Sequence, residues 1–243
     1  MNTEPGPVLA VVVPLHEEEA SVVPLVAEIV GALNGMAFEV VAVDDGSRDA
    51  TSARLAEAAA RWPMLRVVTH RVRRGQSAAL LTGVRASRAP FVATLDGDGQ
   101  NDPADIPRLF ARAGAGTLVA GVRRHRDDPM AKRLASRIAN ATRRAVLRDG
   151  AADTGCGLKV FPRAAFLALP AFDHMHRFLP ALFLAAGHRV VYHDVAHRPR
   201  RAGRTKYGIG DRLWTGIADL GGVAWLRRRM ILPPHEGGDG HDG

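Results

Sequence analysis

Short runs of β-branched and aliphatic residues, at 8–13, 38–43, 65–69, 91–95 and 117–121, punctuate the first half of the chain. They are continuous rather than alternating, the mark of strands buried on both faces. Between them, stretches at 19–33, 51–61, 76–87 and 104–113 carry apolar residues at helical spacing. Regular strand–helix alternation predicts βαβ units and a parallel sheet with helices on both faces.

Past residue 122 the pattern changes. A basic helix is predicted at about 129–147, then Asp153-Thr154-Gly155-Cys156-Gly157 and a strand at 158–161. A helix around 177–186, a strand at 189–195 and a basic loop at 197–207 follow. The segment at 211–229 is amphipathic, with Leu213, Trp214, Ile217, Leu220, Val223, Ala224 and Leu226 on one face and Arg227-Arg228-Arg229 at its end. No linker-like composition separates the halves, so residues 1–210 are expected to form one domain. Residues 211–230 then form an amphipathic helix, and 231–243 a tail expected to be disordered.

Charge narrows the partners. Lys+Arg 33 against Asp+Glu 25 gives +8 over 243 residues, a balance that favours nucleic acid, an acidic membrane surface or phosphorylated small molecules. Aromatic content is 5%, and no stacking motif is interleaved with the basic runs, which argues against nucleic acid as the partner. The single cysteine, Cys156, allows neither an internal disulfide nor a cysteine-built zinc site. The N-terminus lacks a basic start and a long apolar core, and no stretch reaches the roughly 18 apolar residues of a span, so neither export nor integral insertion is expected.

Candidate chemistry falls where parallel strands end, which is where α/β sheets bind ligands. His16-Glu17-Glu18 follows the first strand, Asp44-Asp45-Gly46-Ser47 the second, and Asp96-Gly97-Asp98-Gly99-Gln100 the fourth. Each alone reads equally as a turn or helix cap. Three at one sheet edge crowd carboxylates that repel unless a cation or hydrogen-bond donors compensate. Asp96 and Asp98, one residue apart on a glycine-containing turn and followed by Gln100, offer the hard oxygens that Mg²⁺ or Mn²⁺ takes beside substrate phosphates.

These residues resemble family 2 glycosyltransferases, and within them the dolichol-phosphate mannosyltransferase type and its bacterial polyprenyl-phosphate relatives. The likeness rests on Pro14 with its acidic loop, Asp44 to Asp49, Asp96 to Pro103, and Gly121-Val122-Arg123. Asp153 to Lys159, Phe178-Leu179-Pro180 and Arg198 to Tyr207 extend it, so that it runs from about residue 8 to 229. The resemblance implies a GT-A fold, Rossmann-like, with a mostly parallel central sheet. It also implies a divalent metal, a nucleotide-sugar donor linked to UDP or GDP, and inverting transfer. Pro14, Glu17, Asp44, Asp45, Asp96 and Arg123 would bind the donor, with Asp96, Asp98 and Gln100 at the metal. Where the family usually has an aromatic residue and Asn before the first Glu, this chain has Leu15 and His16.

The basic half suits an acceptor that needs no general base. A lipid phosphate, with a second pKa near ~6, is already largely a dianion at neutral pH. The resemblance places Arg123, Arg133, Ser136 and Arg200 at its phosphate, with Arg200 and Lys206 acting on the transfer together with Asp96 and Asp98. Asp153 reads either as an orienting partner or as a cap of its turn. His174 and His176 read as packing rather than metal ligands. The expected reaction is sugar transfer to a polyprenyl phosphate, dolichyl or undecaprenyl, at the cytoplasmic face of a membrane. The chain would sit there peripherally on anionic lipid, beside an integral membrane partner. Transfer to a saccharide hydroxyl of lipopolysaccharide or another envelope glycan remains the alternative, and a basic nucleic-acid-binding protein the alternative from another class.

Overall fold

The computed structural model describes residues 6–123, 143, 146–151, 153, 155–198 and 209–231, with no side chains considered for 209–217. Seven strands form one sheet: β1 (Leu9–Leu15), β2 (Phe38–Asp44), β3 (Leu65–Thr69), β4 (Phe91–Thr94), β5 (Thr117–Arg123), β6 (Lys159–Pro162) and β7 (Arg189–Val195). Their order is β3-β2-β1-β4-β6-β5-β7. Every pairing is parallel except those of β6, which runs antiparallel to both β4 and β5.

The continuous apolar strands are explained by the two-sided core. Along β1, Ala10 and Val12 join a cluster on one face, while Leu9, Val11, Val13 and Leu15 join the cluster on the other. Helices α1 (Val22–Ala32) and α2 (Thr51–Arg61) supply the second cluster with Val22, Leu25, Ile29 and Leu55. Helix α3 (Gln76–Ala86), with α5 (Arg163–Leu167) and α6 (Leu179–Ala185), supplies the first with Leu80, Phe166 and Phe183. Helices therefore cover both faces, as the pattern predicts.

Three elements differ from the sequence expectation. The helix expected at 104–113 is a 3₁₀ turn (Pro103–Asp105) followed by α4 (Ile106–Phe110), shortened because Pro103 and Pro107 each start a new turn. The helix expected at 177–186 is a 3₁₀ turn (Met175–Arg177), then α6 beginning at Leu179 with Pro180 in its first turn. Helix α5 has only five residues, too short to leave a periodic signature. The basic helix expected at 129–147 and the loop at 197–207 lie largely outside the described residues, as does the tail from 232.

The last helix, α7 (Ile209–Arg229), packs inward where its side chains are described. Val223 is buried, and Leu220, Ala224 and Leu226 lie against the first core cluster. No helix among the described residues is long and apolar enough to cross a membrane.

Candidate active site

Strand order reverses between β1 and β4, each leading away from the other, and such a switch point opens a crevice at the carboxyl ends of the strands. Register brings the acidic clusters to it. Leu15 pairs with Asp44, so β1 and β2 end together, while β4 ends opposite Val12 and its continuation brings Gly97 alongside Leu15. Leu95 N donates to Val12 O at 3.1 Å and Asp45 N to Leu15 O at 2.8 Å, carrying the ladder to the rim.

The β1 and β2 loops are stitched together. Glu17, in the left-handed region at φ 55°, donates its N–H to Ser47 Oγ at 2.9 Å, and Glu18 N donates to Thr51 Oγ1 at 2.9 Å. His16 Nδ1 lies 3.0 Å from Asp45 O. Asp44 is fully buried and accepts from Ser47 N at 3.0 Å and from Ser52 Oγ. Asp45 accepts from Arg74 N at 2.8 Å and Gly75 N at 2.7 Å, with His70 Nδ1 at 2.7 Å. Its carboxylate thus holds the turn that starts α3, and His70 in turn reaches Thr82 Oγ1 at 2.9 Å. Asp45 acts on the crevice through that turn.

The turn also delivers Gln76, whose Nε2 donates to Asp96 Oδ1 at 2.8 Å. Asp96 is set deep among protein atoms yet keeps some accessible surface. Burial, then repulsion from Asp98, pushes its pKa up to about 6, against the attraction of Lys159 and Arg123. Asp98 is buried beside it and accepts from Gln100 N at 3.1 Å. Two glycines make this crowding possible. A Cβ on Gly97 would stand 2.5 Å from Leu15 Cδ2, and one on Gly157 would overlap the Asp96 carboxylate at 2.2 Å from Oδ2.

Cations close the other side. Arg123, at the end of β5, forks onto Asp153, with Nε to Oδ2 at 2.5 Å and Nη2 to Oδ1 at 2.7 Å. Desolvation works against its charge, but the Asp153 bonds outweigh it and hold the guanidinium cationic. Asp153 also accepts from Gly155 N at 3.2 Å, so the orienting and capping roles coincide. Lys159 pairs with Thr94 across the β4–β6 ladder and donates its Nζ to Cys156 O. It is 4% exposed, and burial lowers its pKa.

Sequence reasoning missed Lys159, Gln76 and His70 as parts of this edge. The Lys159 signal was present, a lysine opening a buried strand, whereas Gln76 and His70 are placed only by the fold. His176 Nδ1 lies 2.7 Å from Ser77 Oγ, and burial pushes the imidazole down to about 3. His174 Nδ1 lies 2.8 Å from Asp219 Oδ2 on α7. Each histidine is thus held by a hydrogen bond within the domain.

Pro14, Glu17, Asp44, Asp45, Asp96, Asp98, Gln100 and Arg123 therefore gather at one rim. Arg133, Ser136, Arg200 and Lys206 lie outside the described residues. Gln100 joins the rim to the strand that leads toward the last two, with Arg198 N donating to Gln100 O at 2.9 Å. Arg198 is itself anchored to Glu28 at 2.7 Å and Asp102 at 2.5 Å.

Among the described residues no group of three or more His, Cys, Asp or Glu side chains is arranged to hold a metal ion. Two crowded carboxylates nonetheless suit Mg²⁺ or Mn²⁺, which binds through one or two carboxylates and leaves positions for phosphate and water, while the Gln100 amide turns its Nε2 to Arg198 O at 3.5 Å.

The family model for glycosyl transferase family 2 matches residues 10–169. The chain is 34% identical over 235 residues to a dodecaprenyl-phosphate galacturonate synthase of Rhizobium johnstonii, a match covering 93% of this chain and 69% of that protein. It is 38% identical over 212 residues to an undecaprenyl-phosphate 4-deoxy-4-formamido-L-arabinose transferase of Pseudomonas aeruginosa, covering 85% and 62%. The chain thus spans about two-thirds of the length of these relatives. Among solved structures it is similar to glucosyl-3-phosphoglycerate synthase of Mycobacterium tuberculosis, with a TM-score of 0.68 and 21% identity over 96% of this chain and 82% of that one. That likeness is one of fold. The synthase was crystallised with Mn²⁺ and uridine diphosphate, and also with Mg²⁺ and uridine diphosphate.

Proposed function

The chain belongs to glycosyl transferase family 2, and we propose that it moves a sugar from a nucleoside diphosphate donor to a polyprenyl phosphate, with inversion at the anomeric carbon. One observation carries the donor half. Asp96 and Asp98 crowd together at the switch point, where Asp96 holds a raised pKa of about 6 and Arg123 stands across from it. The names of the two curated relatives support a polyprenyl phosphate as acceptor.

Asp96, Asp98 and Gln100 would hold Mg²⁺ or Mn²⁺, which when bound offsets the charge of the departing diphosphate. Pro14 and Glu17 are proposed to line the nucleoside wall, with Asp44 buried behind them on Ser47 and Ser52, and Asp45 fixes the turn that presents Gln76. Asp153 aims the Arg123 guanidinium, leaving the N–H groups outside that fork for a phosphate oxygen. Arg200 and Lys206, with Arg133 and Ser136, are proposed to complete the phosphate sites from the segments beyond. An acceptor phosphate oxygen attacks the anomeric carbon as the bond from that carbon to the diphosphate breaks. The oxygen is already anionic, so no side chain need remove a proton. The chain is proposed to work peripherally at the cytoplasmic leaflet, beside an integral membrane partner.

Calorimetric titration with UDP and GDP, with and without Mn²⁺, tests the donor half. One of the two should bind in a Mn²⁺-dependent way, and Asp98→Ala should weaken that binding at least ~100-fold while leaving the melting curve intact. Equal binding by the variant would remove Asp98 from the metal site.

A further inference from the structure

Away from the crevice, α7 meets the carboxyl end of α6 and the turn at 146–148 around a cavity of about 600 Å³. It is lined by Val146, Arg148, Ala185, Ala224, Arg227 and Arg228. Among the described residues, three guanidinium groups share this lining with three small apolar side chains, and none of these lining residues is a carboxylate. Arg227 is fixed, because its Nη1 donates to Leu147 O, while its buried Nε has no acceptor among the described residues. Arg148 stands at φ 47°, a conformation an L residue adopts only when its surroundings impose it. The large apolar residues left exposed in this corner are Val146 at 46%, Trp225 at 61% and Ile231 at 95%.

Cations over an alkyl floor, on a helix end that also exposes the Trp225 indole and Ile231, match a group that is anionic at one end and hydrocarbon at the other. The volume lies within the ordinary range of a small-ligand site. Packing of Val223 and its neighbours on the core withdraws the described apolar face of α7 from any membrane. The arginine corner is what this end of the helix presents outward.

We propose that this cavity seats the phosphodiester headgroup of an anionic glycerophospholipid. Arg148, Arg227 and Arg228 hold the phosphate, and Trp225, Val146 and Ile231 enter the boundary of the acyl region beside it. The domain then docks on an anionic leaflet by this corner, at a site separate from the donor crevice.

Vesicle co-sedimentation of the full chain tests it, using pure phosphatidylcholine and an equimolar mixture with phosphatidylglycerol. The chain should partition onto the mixture and not onto phosphatidylcholine alone. Arg148→Gln with Arg228→Gln should weaken that partitioning about thirtyfold, the weight of two cations at an anionic surface. Arg85→Gln with Arg112→Gln removes the same charge from exposed positions elsewhere and should stay within about threefold of the unaltered chain. Matched melting curves establish that each variant folds. Equal losses in the two double variants would reduce the effect to general surface charge and overturn the proposal. So would failure of the unaltered chain to bind the mixture, or a pocket-dependent binding that requires polyprenyl phosphate in phosphatidylcholine. None of these readouts involves sugar transfer, so their failure is distinguishable from failure of the proposed reaction.

Discussion

Asp96 shows how function sets itself against stability at a single residue. Its pKa is raised from 3.8 to about 6, so the folded chain holds a proton there that the unfolded chain releases between those values. Stability from this group is therefore complete below its unfolded pKa and is lost as pH rises through about 6, by on the order of 3 kcal/mol. Asp96→Asn should accordingly raise the melting temperature near neutral pH, with the gap closing in acid below the ordinary carboxylate range. A variant less stable than the unaltered chain at neutral pH would contradict the burial-and-repulsion account. Gly157 is the steric counterpart. Gly157→Ala should reduce transfer by at least ~10-fold, because even a small displacement of a reacting group is costly. Unaltered kinetics would show that the Asp96 carboxylate can move aside. Legibility at this scale was uneven. Asp44, Asp96 and Asp98 stood out because their clusters fall together at the ends of buried strands, where carboxylates crowd at one sheet edge. Gln76, 20 residues from Asp96, is presented to it by the turn just before it, which Asp45 pins through Arg74 N and Gly75 N.

Among the elements, the parallel strands were the most legible, since residues buried on both faces leave an unbroken apolar run. The antiparallel insertion of β6 between β4 and β5 was not, because strand direction leaves no trace in a four-residue segment. That insertion is what brings Lys159 and Gly157 against Asp96. Helix α7 shows a different limit. Amphipathic spacing fits a helix lying on lipid and one docked on its own domain equally well, and only the partner surface decides. Val223, at 1% exposure, marks the docked face. Val223→Ala should destabilise the chain by about 2 kcal/mol in urea unfolding, through lost burial and the cavity left behind. A loss within experimental error would mean that the helix is not part of the cooperative unit.

For the molecule as a whole, the excess of positive charge and the acidic rim are two parts of one arrangement. In the proposed reaction a diphosphate leaves and a phosphate arrives, so a site for both would need local carboxylates for a metal within a generally cationic surface. The sequence motifs, the sheet order and the family match converge on the donor side. The acceptor side depends more on Arg133, Ser136, Arg200 and Lys206, whose positions the described residues do not include. The most direct measurement is therefore of the product. The purified chain is incubated with Mn²⁺, a panel of labelled UDP- and GDP-sugars, and either undecaprenyl phosphate or undecaprenol. One donor should give a labelled lipid that mild acid cleaves, formed from the phosphate and not from the alcohol. Label passing to a saccharide hydroxyl, with none in lipid from any donor, would contradict the account.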